Sequence, residues 1–286
     1  MTPRRNALLC LCLRPLWLWR AALFSVSKIL LVALSLMPVS AWAGSSIRVC
    51  ADHDNNFPLA ASESFSPARP GILIEIIREA AAAENVALEL IFAPWKRCNL
   101  LMLTGQVDAM LASALSPERA KQGRFPADRD VYIWLAEYPV FVKKAQQPAN
   151  VPRLQWNGKT LGGATRSIYA ERGLAVRDKL LQLGADVPTN VVVNNAPLMV
   201  ARNRLDGFVA EINVGWQYIT NQGLQDELEP LPIPLLLVPW YVPVSRQFYD
   251  SHPELVERLW RRIAQVRRDN SARFVELYQL KSIPAQ

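Results

Sequence analysis

Cysteine, histidine and glycine are all scarce in this chain of 286 residues, which has four Cys, two His and 12 Gly. Four cysteines are too few to replace a hydrophobic core with a disulfide scaffold. Two Cys and two His at unrelated spacings, as they stand after residue 43, make a poor zinc site. No G-x-S-x-G, H-E-x-x-H or phosphate-loop pattern occurs, so the commonest hydrolase, metalloprotease and nucleotide-binding signatures are missing. The expectation is therefore no enzyme, no metal and no cofactor. The 12 Gly and 21 Pro follow no period, which excludes a collagen-like chain. After residue 43 no apolar run is long enough to span a bilayer: the most apolar stretch, residues 235–240, is preceded by Pro232 and Pro234 and broken by Pro239.

What is present fits a globular protein. The chain is 51% hydrophobic and 20% charged, and its length allows one large or two smaller domains. A formal charge of +7 suggests a nucleic-acid binder until its location is considered. Residues 1–43 hold Arg4, Arg5, Arg14, Arg20 and Lys28 and no acid. An apolar run over residues 29–37 and the segment Pro38-Val39-Ser40-Ala41-Trp42-Ala43 follow. A basic start, a short apolar stretch and an A-x-A site form the pattern of a secretory signal cut after Ala43. The competing reading, an uncleaved anchor, needs a span of about 20 residues, longer than this run. Without residues 1–43 the chain keeps 27 basic and 25 acidic residues, so nucleic acid is not the expected partner. Cys10 and Cys12 leave with the signal. Cys50 and Cys98 remain, an even number bound for an oxidising compartment, and a Cys50–Cys98 disulfide at the rim of the site is expected.

The pattern then predicts alternating strands and helices. Residues 46–51, 88–92 and 107–111 read as strands. Helices are expected from Gly71, from Pro94-Trp95 to about Gly105, and from Ser116, where Ser, Pro and Glu118 mark a helix start. Extended pieces at 131–136 and 139–142 lead to a second alternating unit: a strand at 160–163, a helix over 169–183, a strand at 190–193, a helix over 197–204 and a strand at 207–210. Ser251-His252-Pro253-Glu254 reads as a capping box. The helix after it carries Leu255, Val256, Leu259, Trp260, Ile263 and Val266 on one side and Arg258, Arg261, Arg262, Arg267 and Arg268 mostly on the other. Those arginines are expected to form a solvated face rather than a basic groove. The fold class is thus α/β, in two units.

The units echo one another. Leu101-Met102 precedes Val107-Asp108-Ala109-Met110-Leu111, and Leu198-Met199 precedes Leu205-Asp206-Gly207-Phe208-Val209. Five residues past each Asp stands a polar residue, Ser113 in the first unit and Glu211 in the second. In open parallel sheets ligands bind just outside the carboxyl ends of strands, which makes Ser113 and Glu211 candidates. Asp108 and Asp206 read as structural.

Three motifs in order, Pro94-Trp95-Lys96-Arg97-Cys98, then Gly105-Gln106-Val107-Asp108-Ala109, then Ser116-Pro117-Glu118-Arg119-Ala120, resemble the periplasmic solute-binding proteins of the polar amino-acid uptake class (bacterial family 3, type 2 fold), in a P-W-x-R-C branch. Gly71-Ile72-Leu73-Ile74-Glu75-Ile76 resembles that family's G-F-D-V-D-L signature, with Leu73 where an acid is usual. The resemblance implies two lobes joined by two crossing strands, over 44–142 plus 237–286 and over 143–236, with crossings at 138–142 and 240–244. It implies that Arg119 grips a ligand carboxylate, Glu211 its amino group, and that Trp95 lies over its side chain. Ser167, in the loop Arg166-Ser167-Ile168-Tyr169, supplies a hydroxyl. Ala114 stands where a hydroxyl is usual, with Ser113 one position off, and Asn55-Asn56 replaces a first-lobe aromatic. The implied role is capture of a small polar, amino-acid-like solute by a periplasmic monomer and delivery to an inner-membrane ABC transporter. The alternative is a sensing or accessory protein using the same clamp without transport.

Overall fold

In the computed structural model, residues 45–53, 56–61, 69–144, 153–163, 167–171 and 175–280 are described. Three strands set up the first half: β1 (Ser46–Asp52), β2 (Ala87–Ala93) and β3 (Ala109–Met110), all parallel in the order β2-β1-β3. Helix α1 (Ile72–Ala83) buries Ile72, Ile76, Ile77 and Ala80, the stripe its 3.6-residue period predicts. It starts at Gly71, where φ is 110° and a Cβ would come within 2.6 Å of the Ala60 Cα, so only glycine fits. Helix α2 (Trp95–Leu103) follows β2 and helix α3 (Pro117–Gln122) follows the short strand β4 (Ser113–Ala114).

β4 belongs to a second, antiparallel sheet of order β4-β12-β5, with β5 (Trp134–Tyr138) and β12 (Leu236–Tyr241). A third sheet has the order β11-β6-β10-β9, from β6 (Val140–Lys143), β9 (Ile168–Ala170), β10 (Gly207–Val209) and β11 (Leu228–Pro230). Here β9 and β10 are parallel, and β6 pairs antiparallel with both β10 and β11. A fourth, small sheet pairs β7 (Gln155–Trp156) with β8 (Leu161–Gly162). Only Pro139 separates β5 from β6, so the chain passes there from one sheet to the next. It returns through residues 231–235, and the two passages are bonded to each other: Leu231 N–H donates to the Val140 carbonyl and Leu235 N–H to the Tyr138 carbonyl, both at 2.8 Å. Residues 240–244, expected as the return, instead follow it: Tyr241 pairs with Ser113 inside the second sheet.

The last third closes the first half. Helices α7 (Arg246–Ser251), α8 (Pro253–Asp269) and α9 (Ser271–Tyr278) end the described chain, and α8 packs on α1. The apolar side of α8 is the one the sequence predicts. Its basic side is more engaged than a solvated face: Arg258 and Arg262 both clasp Glu84 at 3.2 and 3.0 Å, and Arg267 lies 3.8 Å over the Tyr132 ring.

Three local expectations need correction. The helix expected over 169–183 is strand β9 followed by helix α4 (Ala175–Gln182), because Ile168 and Tyr169 fill a buried strand beside β10. The strand expected at 190–193 is absent; a 3-10 turn at Val193–Asn195 leads into helix α5 (Ala196–Ala201). The capping box is not formed: Ser251 ends α7 and its hydroxyl donates to the Gln247 carbonyl, leaving His252 at the head of α8 without a side-chain cap.

Candidate functional site

The carboxyl ends of β1, β2 and β3 lead into Asp52, Trp95 and Ser113, and a turn later to Arg119. Ser116 caps α3 as its sequence predicts, its Oγ accepting from the Arg119 N–H at 3.2 Å, with Pro117 in the first turn. That cap fixes the Arg119 backbone, and two contacts fix its side chain. The guanidinium lies 4.7 Å from the Trp95 ring centroid, and Nη1 donates to the Ala114 carbonyl at 3.0 Å. The Ser113 hydroxyl points at the same carbonyl, at 3.3 Å, and Ser113 is buried. Arg119 is half-buried, and loss of water is the chief cause of a pKa held below the usual arginine value; Glu118 and Tyr138 act the other way. Among the described residues no carboxylate lies within ion-pair distance of Arg119. A guanidinium has five N–H donors, so most of its donor capacity is open.

Beneath Trp95 the structure contains the Cys50–Cys98 disulfide, with Cα atoms 5.4 Å apart. It ties β1 to the first turn of α2, and so holds the base of Trp95 to the sheet. Both cysteines are buried in a small cluster with Met102, Val107 and Met110, near the carboxyl end of β1 and in the first turn of α2.

The opposite wall is built at the carboxyl ends of β9 and β10. Glu211 follows β10 and heads helix α6 (Ile212–Asn221). Its Oε2 accepts from the Asn213 and Val214 N–H groups at 2.9 and 3.1 Å, and its Oε1 from the Trp134 indole and the Asn213 side-chain amide at 3.2 and 3.3 Å. A carboxylate offers about four lone-pair sites, so Glu211 is fully engaged within the protein. Burial pushes its carboxyl up to about 7, against the pull of those same donors. The expectation that Glu211 grips a ligand amino group thus meets a side chain already committed as a helix cap.

Tyr138 stands between the two walls. It is buried, its ring lies 6.5 Å from that of Trp240, and the charges of Glu211, Glu171 and Arg119 all act on it; desolvation is the largest reason its pKa is raised. Arg119, Trp95, Ser113 and Glu211 are therefore brought to one region. Ser167 is not. It precedes β9, at the amino end of that strand, where its hydroxyl bonds Asp186 and its carbonyl accepts from the Asp206 N–H. The reason is the strand assignment: with Ile168–Ala170 in the sheet, parallel to β10, Ser167 stands at the end opposite to Glu211. Asn55, Arg166 and residues 1–43 lie outside the described residues.

Trp134, Tyr138 and Glu171 are the residues that sequence reasoning missed. Reading Ile168-Tyr169-Ala170 as a β-rich triplet would have placed Glu171 at a strand's carboxyl end. The aromatics of β5 and β12 carry no comparable signal. Asp108 is structural, accepting from Arg48 N, Nε and Nη2 at 2.8–3.1 Å. Among the described residues no group of His, Cys, Asp or Glu could hold a metal ion, and no helix is long and apolar enough to cross a membrane.

No family model and no curated protein sequence matches the chain. Solved structures do. A histidine kinase sensor domain with similarity to periplasmic binding proteins is 18% identical, with a TM-score of 0.60 over 83% of this chain and 96% of that one. An ancestral cationic amino acid solute-binding protein is 17% identical, with a TM-score of 0.59 over 82% and 95%. The unliganded, open L-cystine solute receptor of Neisseria gonorrhoeae is 13% identical, with a TM-score of 0.59 over 85% and 96%. The chain has the two-lobed, type 2 periplasmic-binding-protein fold.

Proposed function

We propose that the chain is an exported solute-binding protein that captures a small polar, amino-acid-like ligand between its lobes and delivers it to an inner-membrane ABC transporter. The observation that carries this reading is Arg119: a half-buried guanidinium, steadied by Trp95 and the Ala114 carbonyl, with no acid within ion-pair distance among the described residues. A planar fork so held suits a ligand carboxylate, which it can take in two parallel bonds. Two proteins of similar structure, an ancestral cationic amino acid solute-binding protein and an L-cystine solute receptor, support the same reading. In this reading residues 1–43 are a cleaved signal, the protein is a periplasmic monomer of the P-W-x-R-C branch, and the disulfide forms after export. The expected lobes, 44–142 plus 237–286 and 143–236, then take their first boundary at Pro139, ahead of β6, and the packing of α8 on α1 supports joining the last residues to the first lobe. Nucleic acid, catalysis and a cofactor have no part in it.

A thermal-shift screen of the purified protein against amino acids, amines and small carboxylates tests the reading. A ligand at 100 times its dissociation constant stabilises by about 2.7 kcal/mol, well within detection. Calorimetry on Arg119→Ala should then show affinity reduced at least tenfold; unchanged affinity removes Arg119 from the site. The likeness to a sensor domain favours a second reading, ligand sensing without transport. Uptake of the identified solute by cells lacking the protein separates the two: transport predicts a loss of uptake, sensing does not.

A further inference from the structure

We infer that Arg246 is a positioning residue for Arg119: it grips the last turn of α3 and so holds in place the guanidinium that the first turn of that helix carries. The inference rests on the solute-binding reading above and deepens it. Helix α3 has six residues, far fewer than a helix needs to be stable in isolation. Its shape must therefore come from its attachments. At the head, the Ser116 hydroxyl accepts from the Arg119 N–H. At the tail, the last carbonyls of a helix have no partner within it. Arg246 supplies one. Its Nη2 donates to the Ala120 carbonyl at 2.9 Å, and its Nε reaches the Lys121 carbonyl at 3.4 Å.

Two observations set this contact apart from that of an ordinary surface arginine. Arg246 opens α7, whose head is capped by Ser245. A cation is disfavoured at a helix head and favoured at a helix tail, so the side chain gains by leaving its own helix for the tail of α3. The backbone that carries Arg246 is also bonded on both sides. Arg124, just past α3, exchanges two hydrogen bonds with Val244 at 2.8 and 3.0 Å, and the Met110 N–H of β3 donates to the Pro243 carbonyl at 3.0 Å. Arg246 thus reaches α3 from a segment already fixed to the sheet beneath the site. A third attachment joins α3 to the helix that carries Trp95: the Asn99 side-chain amide of α2 donates to Gln122 Oε1 at 3.1 Å. A guanidinium makes two parallel bonds to a carboxylate only when its plane is correctly aimed. Loosening the tail of α3 would cost Arg119 that aim while leaving its charge.

The test is calorimetry with the twenty common L-amino acids on wild type, Arg246→Ala, Arg246→Lys and Arg258→Ala, with urea denaturation of each variant. Arg246→Ala should lower the affinity for the bound amino acid by about tenfold, the worth of one hydrogen bond from a charged group. Arg246→Lys keeps a cationic donor for the Ala120 carbonyl and should recover most of that loss. Arg258→Ala removes a contact to Glu84 on α8 and should leave affinity unchanged, even where it lowers the urea midpoint as far as Arg246→Ala does. If Arg119→Ala weakens binding and Arg246→Ala does not, the inference is overturned while the solute-binding reading stands. If Arg246→Lys binds as weakly as Arg246→Ala, or Arg258→Ala costs the same affinity, the loss does not come from the grip on α3 and the inference is again overturned. A wild-type protein that binds no member of the panel overturns the amino-acid reading and this inference with it.

Discussion

The Trp134 indole N–H donates to the Glu211 carboxylate at 3.2 Å and so joins β5 of one sheet to the head of α6 beside another. The bond spans the Pro139 passage, where the chain changes sheets. It also sits beside Tyr138, so a single buried acid connects the geometry of the passage to the electrostatics of the site.

Glu211 should give the fold a pH dependence. Its folded pKa of about 7 lies above the ordinary 4.5. Between those values the folded state holds a proton that the unfolded chain has released, so unfolding releases it and stability declines as pH rises from 4.5 to 7. The full span amounts to about 3 kcal/mol. Urea denaturation at pH 5 and pH 8 should show this decline in wild type and a smaller one in Glu211→Gln; equal slopes would mean that the carboxyl does not titrate there.

Trp134→Phe keeps the ring and removes the donor. It should destabilise the protein by about 1–3 kcal/mol, the usual cost of leaving a buried acceptor short of a partner. With one donor fewer for the carboxylate, the pH midpoint of the Glu211 effect should move upward. A variant as stable as wild type, with the same pH profile, would argue that the indole bond contributes nothing.

Trp95 steadies Arg119. A cation over an aromatic face is worth about 0.5–2 kcal/mol, depending on desolvation. Trp95→Leu should therefore weaken binding of a carboxylate ligand by roughly two- to thirtyfold. Calorimetry at two salt concentrations is the measurement, and undiminished affinity would detach Trp95 from the site.

The Cys50–Cys98 bridge closes a long loop, with a sequence separation of 48. Loop-closure arguments give about 2–4 kcal/mol for such a bridge. The double variant Cys50→Ser, Cys98→Ser should unfold at correspondingly lower urea concentration, and reduction of the wild type should match it. A midpoint insensitive to reductant would contradict this.

Gly215 lies against an aromatic stack. A Cβ there would come within 2.3 Å of the Phe141 ring, which stacks on Phe208 at 4.9 Å. Gly215→Ala should cost about 1–3 kcal/mol by overpacking, despite the better helix propensity of alanine. Thermal melting decides it; an unchanged or raised melting temperature would show that the stack can shift.

The first half of the fold was legible because its signals are local. Strand β1 and helix α1 bury the apolar residues their periods single out, and Ser116-Pro117-Glu118 announces its own helix start; α2 is a helix as expected, but it buries Cys98 and Met102 and leaves Leu100 and Leu103, expected inward, exposed. The second half was harder. Ile168-Tyr169-Ala170 is too short to show a period of two, and the apolar residues after it blend into α4. Ser167 was misplaced for that reason alone, and Glu171 was hidden by it. The partnership of Arg119 with Trp95 joins residues from two motifs that stand out in the sequence. That of Glu211 with Trp134 depends on where β5 ends relative to α6, which no spacing encodes. Ser251 shows the same limit: its capping pattern is correct in letters, but the preceding helix α7 takes the residue first.

The strand order β4-β12-β5 has a kinetic consequence. Its middle strand arrives last: Trp134 pairs with Trp240, more than a hundred positions further along. A chain emerging from its N-terminus must therefore leave β4 and β5 with open edges until residues 236–241 appear, and α1 uncovered until α8 does. Contacts of such separation form slowly, and unpaired strand edges in the interval invite association with other chains. Half-emerged chains should thus be the vulnerable species, dependent on holding factors, and truncations before residue 241 should be recovered as aggregates rather than as a folded first half.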